Sequence, residues 1–277
     1  MHKALLTLRR FAVSVGKRLA PQAYSSLKFR SMGRNFPEPE LHLLPYLCDS
    51  RKTSLDIGAS QGLYTAHLLA LSRCCIAFEP RPKQAADLKL VLRQLKNNVS
   101  VEAVALSDRT GEARLRILAD DPGRSTIEES NLLEDEDGSS FTELTTSIRR
   151  LDDYALDNVG FVKIDVEGHE LPVLKGGEQT IRKSHPSLLI EIEDRHKRNA
   201  ICDVSDYLAG LGYSGFFLLD RVAHPLSEFD IALHQDSRNI GGWKSQWQRS
   251  GIYINNFIFV PTEKREDFIH SVLRCKW

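Results

Sequence analysis

The stretch Thr53-Ser-Leu-Asp-Ile-Gly-Ala-Ser-Gln-Gly-Leu-Tyr-Thr65 joins a short apolar run to two glycines and a second apolar run. The first run, Leu55 to Ile57, predicts the end of a buried strand, and the second, Leu63 to Leu71, predicts a helix. Glycine lets backbone approach a ligand closely, and the free N–H groups of a first helical turn attract negative charge. The stretch therefore predicts a strand, a turn and a helix N-terminus that together bind a polar ligand.

The spacing within this turn argues against a dinucleotide. A dinucleotide fingerprint reads G-x-G-x-x-G, whereas here Gly58 is followed by Ser60 and then by Gly62. Asp56 ends the strand, and a carboxylate there would repel a pyrophosphate but would suit an ammonium group. S-adenosylmethionine carries an α-amino group and a carboxylate and has no phosphate. An ordinary turn with a helix-capping role is the alternative that this stretch alone leaves open.

The next apolar run strengthens the case for a nucleoside ligand. It spans Cys74 to Glu79, and its final glutamate lies 21 residues after Gly58. A carboxylate that binds ribose is expected about 20 residues after the first glycine of a βαβ nucleotide site. The sequence therefore predicts that Glu79 accepts hydrogen bonds from the ribose hydroxyls.

Acidic residues recur at the carboxyl ends of the predicted strands. The third strand, Val99 to Leu106, is followed by Ser107 and Asp108, which could accept from an adenine amino group. The full set of strand-end acids is Asp56, Glu79, Asp108, Asp165 and Glu191. Because helical segments separate these strands, the pattern predicts a doubly wound, mostly parallel α/β sheet. Ligands of such sheets bind beyond the carboxyl ends of the strands, which is where these acids are expected.

The remaining chain is less regular. Residues 113–118 alternate and predict an exposed strand, and residues 120–143 form a very acidic loop. A solvated mobile loop and a lid over the ligand both fit that segment. The last two predicted strands are 215–219 and 256–260, with an irregular connection at 220–254.

Composition restricts the class of protein. The 277 residues contain 37 Lys+Arg and 37 Asp+Glu, so charge gives no reason to expect a nucleic-acid partner. Five cysteines without regular spacing favour a reducing, cytoplasmic compartment. The sequence contains no apolar run of about 18 residues that would span a bilayer. It leaves the oligomeric state open.

We expect residues 1–50 to form a basic N-terminal extension, largely helical, before a single domain at 51–277. Residues 1–37 contain no Asp or Glu, and the apolar residues between 5 and 19 fall near helical spacing. Three interpretations remain open for this segment. It could pack on the domain, contact an anionic membrane through residues 1–34, or direct the protein to an organelle.

Six motifs, in this order and spacing, resemble the FkbM-type S-adenosylmethionine-dependent methyltransferases. They are DIGASQGLYT (56–65), AFEP (77–80), VALSD (104–108), LDD (151–153), KIDVEGHE (163–170) and LLIEI (188–192). The resemblance covers about half of the chain. That family usually has asparagine where this chain has Ser60, which leaves any side-chain contact at this position in doubt.

The resemblance implies a class I methyltransferase fold, with a seven-stranded sheet whose last strand is antiparallel. It also implies O-methylation of a hydroxyl on a sugar, a glycan or a similar metabolite. The turn from Asp56 to Gly62 would hold the methionine end, and Glu79 the ribose. The residues implied for the cofactor are Asp56, Gly58, Ala59, Gly62, Thr65, Glu79, Ser107 and Asp108.

An alcohol acceptor requires a general base. Candidates are Asp165, Glu191, His169 and His196, and strand ends favour the two carboxylates because they hold side chains rigidly. A magnesium ion held by Asp165 and Glu191 is an alternative way to acidify the hydroxyl. Two other functions stay open: a nicotinamide-dependent oxidoreductase, and a non-catalytic membrane-associated binding protein.

Overall fold

A computed structural model of the chain describes residues 38–94, 98–118, 123–131, 141–240 and 251–277. The possible membrane contact through residues 1–34 therefore lies outside the described residues. Within the described part, none of the helices combines the length and the apolar character that crossing a bilayer requires.

The described residues form twelve strands and eight α-helices, with short 3₁₀ helices between them. The strands are β1 (Thr53–Ile57), β2 (Cys74–Phe78), β3 (Val99–Glu102), β4 (Ala105–Leu106), β5 (Gly111–Leu118), β6 (Ser125–Thr126), β7 (Phe141–Arg149), β8 (Val159–Ile164), β9 (Ser187–Glu191), β10 (Tyr213–Leu219), β11 (Val222–Pro225) and β12 (Asn256–Pro261). The helices are α1 (Leu44–Leu47), α2 (Leu63–Leu71), α3 (Pro82–Arg93), α4 (Glu170–Gly176), α5 (Glu178–Ser184), α6 (Ala200–Ala209), α7 (Ile231–His234) and α8 (Arg265–Arg274). The 3₁₀ helices are Pro39–Leu43, Leu151–Tyr154, Leu226–Glu228, Ser237–Asn239 and Thr262–Lys264.

The main sheet has the order β11-β10-β12-β9-β8-β1-β2-β3. β1 pairs in parallel with β2 and β8, while β12 is antiparallel to both β9 and β10. From β1 the chain builds β2 and β3 on one side and returns to build β8 and β9 on the other. The strand order therefore reverses between β1 and β8, which is the place where such sheets bind ligands. The predicted doubly wound class I methyltransferase fold is confirmed.

Two apolar layers cover the sheet, one on each face. One layer includes Leu68 of α2 and Phe268 of α8, and the other includes Val173 of α4 and Val204 of α6. All residues of β8 and β12 are buried, as expected for central strands covered on both faces. This packing fixes the strand ends and the acids that follow them.

The packed core begins before residue 51. Leu43 and Leu44 are fully buried in the same layer as Leu68 and Phe268. Part of the segment assigned to the N-terminal extension therefore packs within the domain.

The prediction of one third strand over 99–106 was wrong. The chain leaves the main sheet after β3, and β4 instead pairs with β7 in a second sheet of order β4-β7-β5-β6. Residues 113–118 are part of β5, which pairs along its length with β7. The acidic segment is also less irregular than expected, since it contains β6 and the start of β7.

The sheet has eight strands rather than seven. The extra strand is β11, which forms a hairpin with β10 within the stretch predicted to be irregular. Asp220 and Arg221 form the two-residue loop of this hairpin, and both adopt positive φ. Positive φ is usual in two-residue hairpin loops, where pairs such as Asn-Gly normally indicate it. An Asp-Arg pair gives no such indication, so the sequence did not predict this strand.

Candidate functional site

The carboxyl ends of β1 and β8 meet at the reversal of strand order. Gly58 directly follows β1, and Asp165 directly follows β8. The N–H of Asp165 donates to the carbonyl of Ile57 at 2.9 Å. Gly58 has φ of +83°, and a Cβ added there would lie 1.7 Å from the carbonyl oxygen of Asp165. Only glycine fits this junction, which brings the predicted ligand turn beside a predicted catalytic acid.

Asp56 and Thr65 join the strand to the helix. Asp56 is 2% exposed, Thr65 is fully buried, and the Thr65 hydroxyl donates to the Asp56 carboxylate. The backbone N–H of Thr65 also interacts with this carboxylate. Burial raises the pKa of Asp56 to about 6, and the Thr65 contacts oppose that shift. The geometry gives this pair a positioning role for α2; their predicted contact with the cofactor stays a prediction.

The turn between β1 and α2 is fixed by its backbone. The N–H groups of Gly58 and Ala59 both donate to the carbonyl of Phe78, each at 3.0 Å. Ser60 and Gly62 adopt left-handed φ values of +46° and +84°. The glycine turn thus follows the end of β2 closely, as a nucleoside site between the two strands requires.

Glu79 is buried beneath this turn and paired with Arg81. Its Oε1 accepts from the Arg81 backbone N–H at 3.0 Å and from Arg81 Nε at 2.7 Å. Its Oε2 accepts from the Ser60 N–H at 2.9 Å and from Arg81 Nη2 at 3.0 Å. Four donors fill the roughly four lone-pair positions of a carboxylate. A ribose that bound Glu79 would therefore replace the Arg81 guanidinium.

Lys163 is a buried cation beneath the site and is not among the site residues predicted from the sequence. Its side chain is 1% exposed, and Nζ donates to Asn256 Oδ1 at 3.1 Å. Nζ also lies 3.8 Å from Glu191 Oε2 and 5.1 Å from the centre of the Tyr64 ring. Burial alone would lower the pKa of Lys163, but the surrounding carboxylates, with Asp165 and Glu191 foremost, together outweigh it and raise that pKa. The sequence feature that could have indicated this buried charge is a lysine between apolar residues of a predicted strand.

Of the two carboxylates favoured as base candidates, Asp165 directly follows β8 and Glu191 ends the neighbouring strand β9. Burial raises the pKa of Asp165, and Lys163 opposes the shift. Burial also raises the pKa of Glu191 well above its ordinary value, helped by Asp165. Glu191 Oε1 accepts from Asn255 Nδ2 at 2.6 Å. Carboxylates with raised pKa values suit proton transfer near neutral pH.

Ser107 and His169 connect the two sheets beside this edge. Ser107 Oγ lies 2.9 Å from His169 Nε2 and donates to Asp108 Oδ1 at 3.2 Å. His169 Nδ1 lies 3.2 Å from Glu128 Oε2, so both nitrogens of this imidazole have partners. Asp108 is exposed and follows β4 rather than a strand of the main sheet.

Residues 123–131 of the acidic segment contact this edge. Thr126 Oγ1 and Asn131 Nδ2 each donate to the carbonyl of Glu167 at 2.8 Å. Glu128 contacts His169 and also lies 3.2 Å from Lys197 Nζ. The hydrogen bond with His169 lowers the pKa of Glu128 to about 2. These contacts place residues 123–131 beside the carboxyl end of β8, and a lid over the ligand stays a prediction.

The magnesium expectation for Asp165 and Glu191 is not supported. Among the described residues, these two acids are not part of a group of three metal-ligating side chains. One such group exists, and it joins Glu167, Glu193 and His196. Of these three, only His196 is a candidate site residue from the sequence, where it is a possible general base. The convergence of the three side chains depends on two loops that follow different strands, β8 and β9.

Known proteins resemble this chain in sequence and in structure. The family model described as "Methyltransferase FkbM domain" matches residues 56–214. The chain is similar to a crystal structure of methyltransferase FkbM from Methylobacillus flagellatus KT, with 19% sequence identity and a TM-score of 0.48. The match covers 91% of this chain and 59% of that chain. A putative methyltransferase, SMU.1697c from Streptococcus mutans, solved with SAH, is 11% identical with a TM-score of 0.44; the match covers 81% of this chain and 97% of that one. An rRNA methylase from Streptococcus thermophilus is 14% identical with a TM-score of 0.43, covering 80% of this chain and 92% of that one. None of the curated protein sequences matches the chain.

Proposed function

The chain belongs to the FkbM family of S-adenosylmethionine-dependent methyltransferases, and from that premise we propose that it methylates a hydroxyl group of a sugar, a glycan or a similar metabolite. The observation that carries the proposal is the junction of Gly58 with Asp165. It sets the turn proposed for the methionine end directly beside Asp165, a half-buried residue at the end of β8.

The proposed cofactor contacts begin at the carboxyl ends of β1 and β2. The methionine end lies against the turn from Asp56 to Gly62, the ribose against Glu79, and the adenine near Ser107 and Asp108. The first two contacts follow the strand order β8-β1-β2 of the main sheet, whereas Ser107 and Asp108 follow β4 of the second sheet. The methyl group is then presented on the β8 side, next to Asp165.

Methyl transfer from a sulfonium requires the acceptor oxygen in line with the methyl carbon and the sulfur. An alcohol is a poor nucleophile, so a base must remove its proton as the oxygen–carbon bond forms. We assign this role to Asp165, with Glu191 as the second candidate, because burial raises the pKa of both carboxyls. His169 is less suited, since Ser107 and Glu128 already engage both of its nitrogens.

The acceptor class can be tested by tracing methyl-labelled methionine in cells with and without the gene. A labelled metabolite that disappears on deletion should carry the label on an oxygen, and the purified chain should restore it. Label on nitrogen or carbon would contradict O-methylation, although the chain would still be a methyltransferase.

Glu79→Gln is expected to weaken binding of S-adenosylhomocysteine by roughly ten- to a hundredfold. The reason is that a hydrogen bond to a charged group contributes about 1.5–3 kcal/mol, and about 1.4 kcal/mol corresponds to a factor of ten in affinity. Titration calorimetry measures this directly. The variant's melting temperature should be recorded as well, because Glu79 is buried and its pairing with Arg81 also supports the fold.

Arg81→Gln is the matched control. It removes the same ion pair but leaves the Glu79 carboxylate available to the ribose, so it should cost less cofactor affinity than Glu79→Gln. Equal losses in the two variants would mean that the pair acts only by holding the turn. Wild-type affinity in Glu79→Gln would remove Glu79 from the ribose site.

A further inference from the structure

Three side chains that commonly bind metals converge beside the carboxyl ends of β8 and β9. His196 Nε2 lies 3.3 Å from Glu167 Oε2 and 3.8 Å from Glu193 Oε1. One ligand atom from each residue lies within 4.8 Å of the other two. Ligands held about 2.0–2.2 Å from one zinc ion lie roughly 3.3–3.6 Å apart in a tetrahedral site. Small side-chain adjustments would therefore bring all three atoms onto one ion.

Two of these atoms are buried without a hydrogen bond. His196 is 4% exposed, and neither its Nε2 nor Oε2 of Glu167 has a hydrogen-bond partner among the described residues. The 3.3 Å contact between them does not have the geometry of a hydrogen bond. Buried polar atoms are normally paired, and an unpaired one calls for an explanation such as an ion.

The backbone holds Glu167 in a conformation that is unfavourable for this residue. Glu167 has φ of +54° and Gly168 has φ of +101°. Such strain costs of order 1–3 kcal/mol in a non-glycine residue and tends to occur at functional sites. Thr126 and Asn131 hold the turn through the Glu167 carbonyl. A Cβ at position 168 would lie 3.3 Å from the His196 Cβ. The two loops are thus built closely against each other.

Glu193 is oriented by its neighbours. Its Oε2 accepts from Arg195 Nε at 2.6 Å and from the Tyr253 hydroxyl, and its Oε1 accepts from Arg195 Nη2 at 3.0 Å. These contacts use three of about four lone-pair positions on the carboxylate. Oε1 is the oxygen closer to His196, so Arg195 and Tyr253 fix the carboxylate while Oε1 remains directed at the cluster.

We propose that Glu167, Glu193 and His196 bind one divalent transition-metal ion. An imidazole with two carboxylates suits zinc, manganese or iron, whereas magnesium prefers oxygen ligands alone. Three protein ligands leave a coordination position for water or for an oxygen of a bound molecule. This site differs in residues and in metal from the magnesium site expected at Asp165 and Glu191, and it does not depend on the proposed acceptor.

The test is metal binding by the full-length chain after dialysis against a chelator. Manganese is the first probe, because the five free cysteines could bind zinc on their own. Electron paramagnetic resonance should show one bound Mn²⁺ per chain, displaced by Zn²⁺ and weakly by Mg²⁺. Glu167→Gln and His196→Gln should each weaken Mn²⁺ binding by more than tenfold, since even outer-shell changes cost about 10–100-fold.

His224→Gln is the matched control, since His224 lies 3.1 Å from Glu228 and no third metal-binding side chain joins this pair among the described residues. It should bind Mn²⁺ like the wild type. Glu167→Gln preserves side-chain size and carries the test if His196→Gln does not fold. Absence of stoichiometric Mn²⁺ and Zn²⁺ binding, or wild-type affinity in Glu167→Gln, would overturn the proposal. Binding of S-adenosylhomocysteine, measured on the same samples, separates that failure from a failure of the proposed function.

Discussion

Replacing Asp165 with asparagine is expected to lower turnover by about 10²–10⁴-fold, the usual contribution of a general base. Asparagine keeps the shape of the side chain but cannot accept the proton of the acceptor hydroxyl. Cofactor binding should stay within a few-fold of wild type, because the proposed ribose contact at Glu79 is untouched. Label transfer to the acceptor and calorimetry with S-adenosylhomocysteine measure the two effects separately.

Two further variants show whether a loss of turnover in Asp165→Asn identifies the general base. Glu191→Gln tests the second candidate base, and whichever variant loses turnover without losing cofactor affinity marks the base. Asp206→Asn alters an exposed acid on α6 and should leave both quantities unchanged. Wild-type turnover in Asp165→Asn would exclude Asp165 as the base. A parallel loss of cofactor affinity would place it in the cofactor site instead.

Gly58→Ala is expected to destabilise the fold by more than about 4 kcal/mol, a loss that is exceptional for a single substitution. The new Cβ would lie 1.7 Å from the Asp165 carbonyl oxygen, so β1 and β8 would have to separate. Urea unfolding monitored by circular dichroism measures the change. Expression at low temperature favours recovery of folded protein, and the folded fraction should bind S-adenosylhomocysteine poorly.

Gly212→Ala separates the steric clash from backbone strain. Gly212 has nearly the same φ, +84°, but no atom of the described part of the chain lies within 4 Å of its added Cβ. It should cost only about 1–3 kcal/mol, the usual range for a strained residue. Equal destabilisation by the two variants would show that φ alone matters at Gly58 and that the junction tolerates extra volume.

The sheet could be predicted because its signals are local. Apolar runs ending in Asp56, Glu79 and Glu191 indicate buried strands with polar carboxyl ends, and glycines at 58 and 62 indicate the turn between them. The same reasoning failed at Val99 to Leu106, because leaving the main sheet for a second one depends on pairing with the distant β7. Pairing between segments that are distant in sequence produces no periodic pattern of apolar residues in either segment.

Within the site, the sequence predicted where the carboxylates lie but not their partners. Glu79 was expected from its distance to Gly58, whereas its bidentate contact with Arg81 depends on a side-chain conformation. The buried charge of Lys163 is compensated by acids from three strands and was not anticipated. The convergence of Glu167 with Glu193 and His196 depends on the mutual placement of two loops, which only the folded structure specifies.

The most direct test of the account is calorimetric titration of the wild-type chain with S-adenosylhomocysteine, with NAD⁺ as the competing ligand. We predict saturable binding of one S-adenosylhomocysteine per chain, at a dissociation constant below about 1 mM, the upper end of common enzyme–substrate values. The melting temperature should rise with ligand concentration, because the ligand binds only the folded state. NAD⁺ should produce neither effect. Binding of NAD⁺ without binding of S-adenosylhomocysteine would contradict the account.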